Sequence, residues 1–116
     1  MADVVSLAEK RPETRHGASK PVFFDRTELR KLLDVYSRRV ATGEWRDYAI
    51  QHRSDMAAFA VFRSTFDQPL FVVAKYRPGT QRQGTYAVTA GARRLSHGWN
   101  IDEVLSIFER GLRLAT

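Results

Sequence analysis

The stretch GEWRDYAI, residues 43–50, marks the point where the hydrophobic period of the chain changes. Before it, Leu29, Leu32, Leu33, Tyr36 and Val40 recur at the i, i+3, i+4, i+7 spacing of one helix face, while Arg30, Lys31, Asp34 and Arg38 fall on the opposite side. After it, Tyr48 and Ile50 alternate with Asp47, Gln51 and Arg53, the two-residue period of a strand. Gly43 suits the position just past a helix end, because it takes a positive φ without a Cβ clash. The stretch therefore reads as a structural corner made of Gly43, Trp45, Arg46, Asp47 and Tyr48, with Trp45 plugging the gap between helix end and sheet edge. Arg46 and Asp47 fall on different strand faces, so each is expected to find its own partner. For Arg46 that is the last carbonyls of a helix or a carboxylate, and for Asp47 a loop N–H or an arginine.

Working backward, Asp25 with Glu28 three residues later makes a capping box, and Phe24 is placed to staple onto Leu29. A helix is expected over about 26–42. Pro21 discourages helix at Lys20. Residues 1–20 are polar and mixed in charge, and read as a flexible arm ahead of a single domain at 21–116.

Working forward, the alternating segment 46–53 and the segments 57–66, 70–77 and 84–90 read as four strands, with turns at Ser54-Asp55 and Asp67-Gln68-Pro69 and a longer loop at PGTQRQG. GARRL allows a short extra strand or a bulge. Asn100 and Glu103 suggest a second capping box. Ile101, Val104, Leu105, Phe108 and Leu112 then form an apolar stripe over about 101–114. The order α-β-β-β-β-α with short connections predicts a four-stranded antiparallel meander sheet and an α+β two-layer sandwich, both helices packing on one face. Both faces of the second and third strands are apolar, which leaves the other face for partial covering or for dimerisation.

The 116 residues and 43% hydrophobic content suit one modest core. No run approaches the roughly 18–20 apolar residues that span a bilayer. The first residues lack a secretory pattern. Cysteine is absent, which excludes disulfides, thiolate metal sites and cysteine nucleophiles. A cytoplasmic protein is the simplest expectation. The net charge is +6, of which +1 lies in residues 1–20 and +5 in the rest, so the excess belongs to the folded part. Such basicity favours anionic partners.

Catalytic and cofactor signatures are missing. His16, His52 and His97 show no metal-ligand spacing, and His52 beside Asp47 or Asp55 has no activated nucleophile near it. RPGTQRQGTY, residues 77–86, brings Arg77 and Arg82 next to glycines but precedes a strand rather than the helix a phosphate cradle requires. In ARRLSHGWN, residues 92–100, Arg93, Arg94 and His97 precede the last helix, and Trp99 reads as a hydrophobic staple. Arg63, Lys75 and Arg77 on neighbouring strands, near Phe62, Phe71 and Tyr76, suggest a basic, base-stacking stripe, although no RNP-type motif is present.

The segments FFDRTELRKLLDVYSRRVATGEWRDYAI, FAVFR, PLFVVAK, QGTYAV and VLSIFERGLRL resemble the small bacterial family catalogued as domain of unknown function 2794, over roughly residues 22–114. The resemblance implies a compact bacterial, cytoplasmic domain and brings no activity, cofactor or catalytic residue. The expected function is a basic binding or adaptor module engaging a protein partner through its sheet or basic loops. Direct binding of RNA or single-stranded DNA ranks second, and a small enzyme or ligand-binding protein third.

Overall fold

A computed structural model describes residues 20–64 and 68–109. The expected arm lies outside the described residues except for Lys20, as does the end of the chain beyond Glu109. Helix α1 spans Arg26–Ala41. Its capping box is complete: Glu28 N donates to Asp25 Oδ1, and Asp25 N to Glu28 Oε1, both at 2.8 Å. At the other end Gly43 has φ +83 and donates to the Val40 carbonyl, which lets the chain reverse.

Five strands follow, β1 (Asp47–His52), β2 (Met56–Phe62), β3 (Phe71–Tyr76), β4 (Tyr86–Ala90) and β5 (Arg93–Gly98). They pair in the order β1-β2-β3-β4-β5, every pair antiparallel. The sheet thus has one strand more than the four expected. The segment RRLSHG is polar and has little strand periodicity of its own. It is held by pairing with β4 across a register shift at Val88/Thr89. Gly84 helps to seat it: a Cβ there would stand 2.2 Å from the Gly98 carbonyl oxygen, so the β3–β4 loop and the end of β5 approach each other more closely than any side chain permits.

Helix α2 covers Ile101–Leu105. Ser106 interrupts it and 107–109 resume a helical turn. The rest of the expected 101–114 helix lies outside the described residues. Two details differ from expectation. Asn100 Oδ1 accepts from Asp102 N at 2.7 Å, not from Glu103 N, so its cap closes one residue early and is not a capping box. Trp99 is 64% exposed rather than stapled onto the core. The core at the start of this helix is supplied by Ile101 and Val104 instead.

Leu32 and Val35 of α1, Leu105 and Phe108, and Phe59, Val61 and Val73 of the sheet line one interior space, so both helical segments cover the same sheet face. Lys31–Asp102 (2.7 Å) and Arg38–Glu109 (3.1 Å) tie the segments side by side, running in the same direction. Trp45 is 2% exposed and closes this core at the helix-to-strand corner. Its ring lies 5.2 Å from Phe108 and 6.0 Å from Phe71. Trp45→Ala is expected to lower the unfolding free energy by about 3–5 kcal/mol in urea titrations; a midpoint equal to the wild type would show that the indole is not part of the core.

Candidate functional site

Register assigns every strand residue to a face. Residues opposite one another share a face, and the helix-covered one carries Tyr48, Ile50, Phe59, Val61, Phe71, Val73 and Val88. The opposite face carries Asp47, Ala49 and Gln51 from β1; Met56, Ala58, Ala60 and Phe62 from β2; Val72, Ala74 and Tyr76 from β3; and Ala87 and Thr89 from β4. No element among the described residues packs on it. Small side chains dominate its centre, so the surface is low and nearly flat. Ala74 and Ala87 are buried by the larger residues beside them, while Ala58, Ala60 and Val72 remain half-exposed.

The residues singled out from sequence divide into three groups. Lys75 does not belong to a basic stripe: it points to the helix-covered face, as does Phe71. Arg77 spans the sheet end, donating through Nε to the Ser54 carbonyl at 2.8 Å and through Nη2 to the Lys20 carbonyl, so it clamps the entering chain. Two of the remaining cations rim the open face. Arg94 and His97 stand on the β5 side, opposite Thr89 and Ala87, and both hold Gln83, Arg94 at 2.7 Å through the side-chain oxygen and His97 at 3.2 Å through the carbonyl. Arg82 is exposed in the loop next to Gln83, Arg63 is exposed past the end of β2, and Arg93, opposite Ala90, falls on the helix-covered side. Among the described residues none of Arg63, Arg82, Arg93 and Arg94 has a carboxylate within salt-bridge distance. Phe62 and Tyr76 share the open face but lie at opposite ends of it, so they cannot stack adjacent bases.

The corner residues also depart from expectation. Arg46 is exposed, and no described residue bonds its side chain; Arg39 takes the expected role, pairing with Glu44 at 3.1 Å beneath the helix end. Asp47 accepts from the N–H of its own neighbour Tyr48 at 2.8 Å. Asp47 and His52 fall on opposite faces, so no pocket joins them with Tyr48. The His52 ring packs on Phe23 at 4.4 Å, and burial lowers its pKa. An open groove of about 410 Å³ lies between α1 and α2, crossed by the two interhelix ion pairs.

Sequence reading missed one constellation. Glu28 is 6% exposed and accepts from Asp25 N, from Lys75 Nζ at 2.8 Å and from the Tyr86 hydroxyl. Lys75 Nζ also donates to the Phe23 carbonyl at 2.7 Å. A buried carboxylate survives only when paired and hydrogen-bonded, and here both conditions hold. Burial raises the Tyr86 pKa well above the usual phenol value, helped by its bond to Glu28 and by the charges of Glu28 and Asp25. The signal was present: Lys75 alternates with Phe71 and Val73, a position where a cation must find an anion.

The family described as Protein of unknown function (DUF2794) matches residues 22–105, from the first buried residue of the domain into α2. The chain belongs to the DUF2794 family. The match contains α1, the whole sheet, the Glu28 constellation and the open face. No curated protein and no solved structure shows significant similarity to the chain.

Two outcomes are expected of the Glu28 constellation in this DUF2794 chain. Lys75→Ala strands a buried carboxylate and should cost about 3–5 kcal/mol in chemical unfolding; a loss below 1 kcal/mol would mean that water replaces the lysine. Tyr86 has a raised pKa in the folded state, so its contribution is complete below the free phenol value of 10.0 and is lost as pH climbs past it. Stability should therefore fall above about pH 10, and Tyr86→Phe should flatten that fall. Some decline remains, because burial raises the Tyr36 pKa as well.

Proposed function

We propose that this protein is a non-enzymatic binding module whose open sheet face receives an acidic protein partner. The observation that carries this reading is the one-sided cover: both helical segments pack on one face, and the other is left apolar, flat and low in charge. Exposed apolar patches on a sheet mark interaction surfaces more often than they mark nothing. The rim supplies the preference for acidic groups. Arg82, Arg94 and His97 border the face on the β5 side, the net charge is +6, and the arginines of the rim are not neutralised internally. Charged rims around an apolar centre steer and orient a partner, while the centre supplies most of the affinity. A cytoplasmic setting belongs to this reading and is supported by the cysteine-free composition; among the described residues no helix is long and apolar enough to cross a membrane.

Nucleic acid is the second reading, favoured by the exposure of Trp99 next to the β5 cations, a pairing of aromatic and positive charge that suits single strands.

Affinity capture at low salt, with and without nuclease, separates the two. The full chain and an Ala60→Arg variant serve as baits, since a charge at Ala60 spoils the centre of the face without touching the rim. The protein-binding reading predicts a nuclease-resistant acidic partner retained by the wild type and lost by Ala60→Arg. Loss of the bound material on nuclease treatment, together with a gel shift that weakens steeply between about 50 and 200 mM salt, would replace it with the second reading. Retention by Ala60→Arg would reject the face as the binding surface.

A further inference from the structure

We propose that β1 pairs edge to edge with β1 of a second copy of this chain, joining two five-stranded sheets into one continuous sheet. The inference rests on backbone direction, on the contrast between the two sheet edges, and on a charge match, and it does not depend on the binding function above.

The register Asp47↔Phe62 to His52↔Ala57, closed by Arg53 N donating to the Met56 carbonyl at 2.8 Å, directs the amides of Asp47, Ala49 and Gln51 toward β2. Tyr48, Ile50 and His52 therefore aim their N–H and C=O groups away from the sheet. The Tyr48 N–H is occupied by Asp47 Oδ1. Among the described residues nothing accepts from Ile50 N or His52 N. β1 also pairs in one unbroken register over six residues, with no proline or lysine. The opposite edge is defended in the ways such edges usually are. There β5 carries Arg93 and Arg94, has a register shift beside it, and has α2 packed against it. Among the described residues the β5 edge carries these guards and the β1 edge lacks them.

Self-pairing about a two-fold axis normal to the sheet keeps the two helical layers on the same side, and this requires residues of like face to meet. With the axis at Ile50, the outward-facing groups of Ile50 meet those of Ile50 in the second copy, and those of Tyr48 meet those of His52. The same register sets Asp47 opposite Arg53 of the second copy, twice per dimer. Arg53 is well placed to change partner, because its own contact to Asp55 is long at 3.8 Å and exposed. When Tyr48 N–H bonds across the new edge, Asp47 is released to meet that arginine. On the helical side Tyr48 and the exposed Phe23–His52 stack come together. An unrelated acidic peptide would satisfy the backbone groups, but only a second copy satisfies both the two-fold register and the reciprocal Asp47–Arg53 match. The two open faces then form one surface.

Sedimentation equilibrium of the full chain between about 1 and 200 μM tests this. Two-chain mass is expected at the upper concentrations. Asp47→Arg and Arg53→Asp each set like charges opposite one another twice, and each should weaken the dimer about tenfold. The double substitution restores opposite charges and should recover the wild-type constant. Thermal melts matching the wild type establish that each variant is folded, and Arg53→Asp, at an exposed position outside the core, stands as a test by itself. A chain that stays monomeric throughout, single reversals without effect, or a double reversal no tighter than the singles would each overturn the proposal.

Discussion

The carboxylate of Glu28 is the point on which this fold turns. It closes the first turn of α1, then reaches past its own helix to Lys75 on β3 and Tyr86 on β4. One buried charge thus joins the start of the helix to the middle of the sheet. Apolar packing holds α1 near that face, but it is less directional than charge-assisted hydrogen bonds. The three donors around Glu28 admit one arrangement. Lys75 extends the constraint through the Phe23 carbonyl to the chain that enters the helix, and Arg77 adds a second clamp at the Lys20 carbonyl.

With α1 fixed there, the other features follow. Gly43 and Trp45 return the chain from the helix end to the sheet edge, and the indole fills the corner next to Phe108. The returning strand becomes an outer strand, since the meander then proceeds away from it one hairpin at a time. The chain comes back after β5 on the side where α1 already lies, so α2 shares that core. Among the described residues, all helical cover is spent on one face. The uncovered face is lined by alanine, valine and threonine at its centre, with Arg94 and His97 at its β5 margin.

Much of the architecture was legible in the sequence because it rests on local signals. Asp25 and Glu28 announce the start of α1, Gly43 its end, and the alternation after Trp45 the first strand. β5 was legible only as the short extra strand or bulge allowed at GARRL, because Arg93, Arg94, Ser96 and His97 carry no apolar period and the strand exists through pairing with β4. Trp99 was misread because an aromatic residue before a helix cap resembles a staple, whereas the core beside that cap is supplied by Ile101 and Val104. The candidate site was legible only in outline. The sequence shows that β2 and β3 are apolar on both faces; which face the helices take, and hence that Lys75 is internal while Arg94 and His97 rim the open side, depends on contacts between residues far apart in the chain.

The central claim is that one sheet face is covered and the other open. Paramagnetic relaxation by a small soluble probe, read at the alanine and valine methyls of the full-length labelled protein, tests it directly. Ala58, Ala60 and Val72 should relax strongly, while Val61, Val73 and Val88, buried under the helices, should be shielded. Equal shielding of the two sets would mean that the second face is covered as well, and would contradict the account.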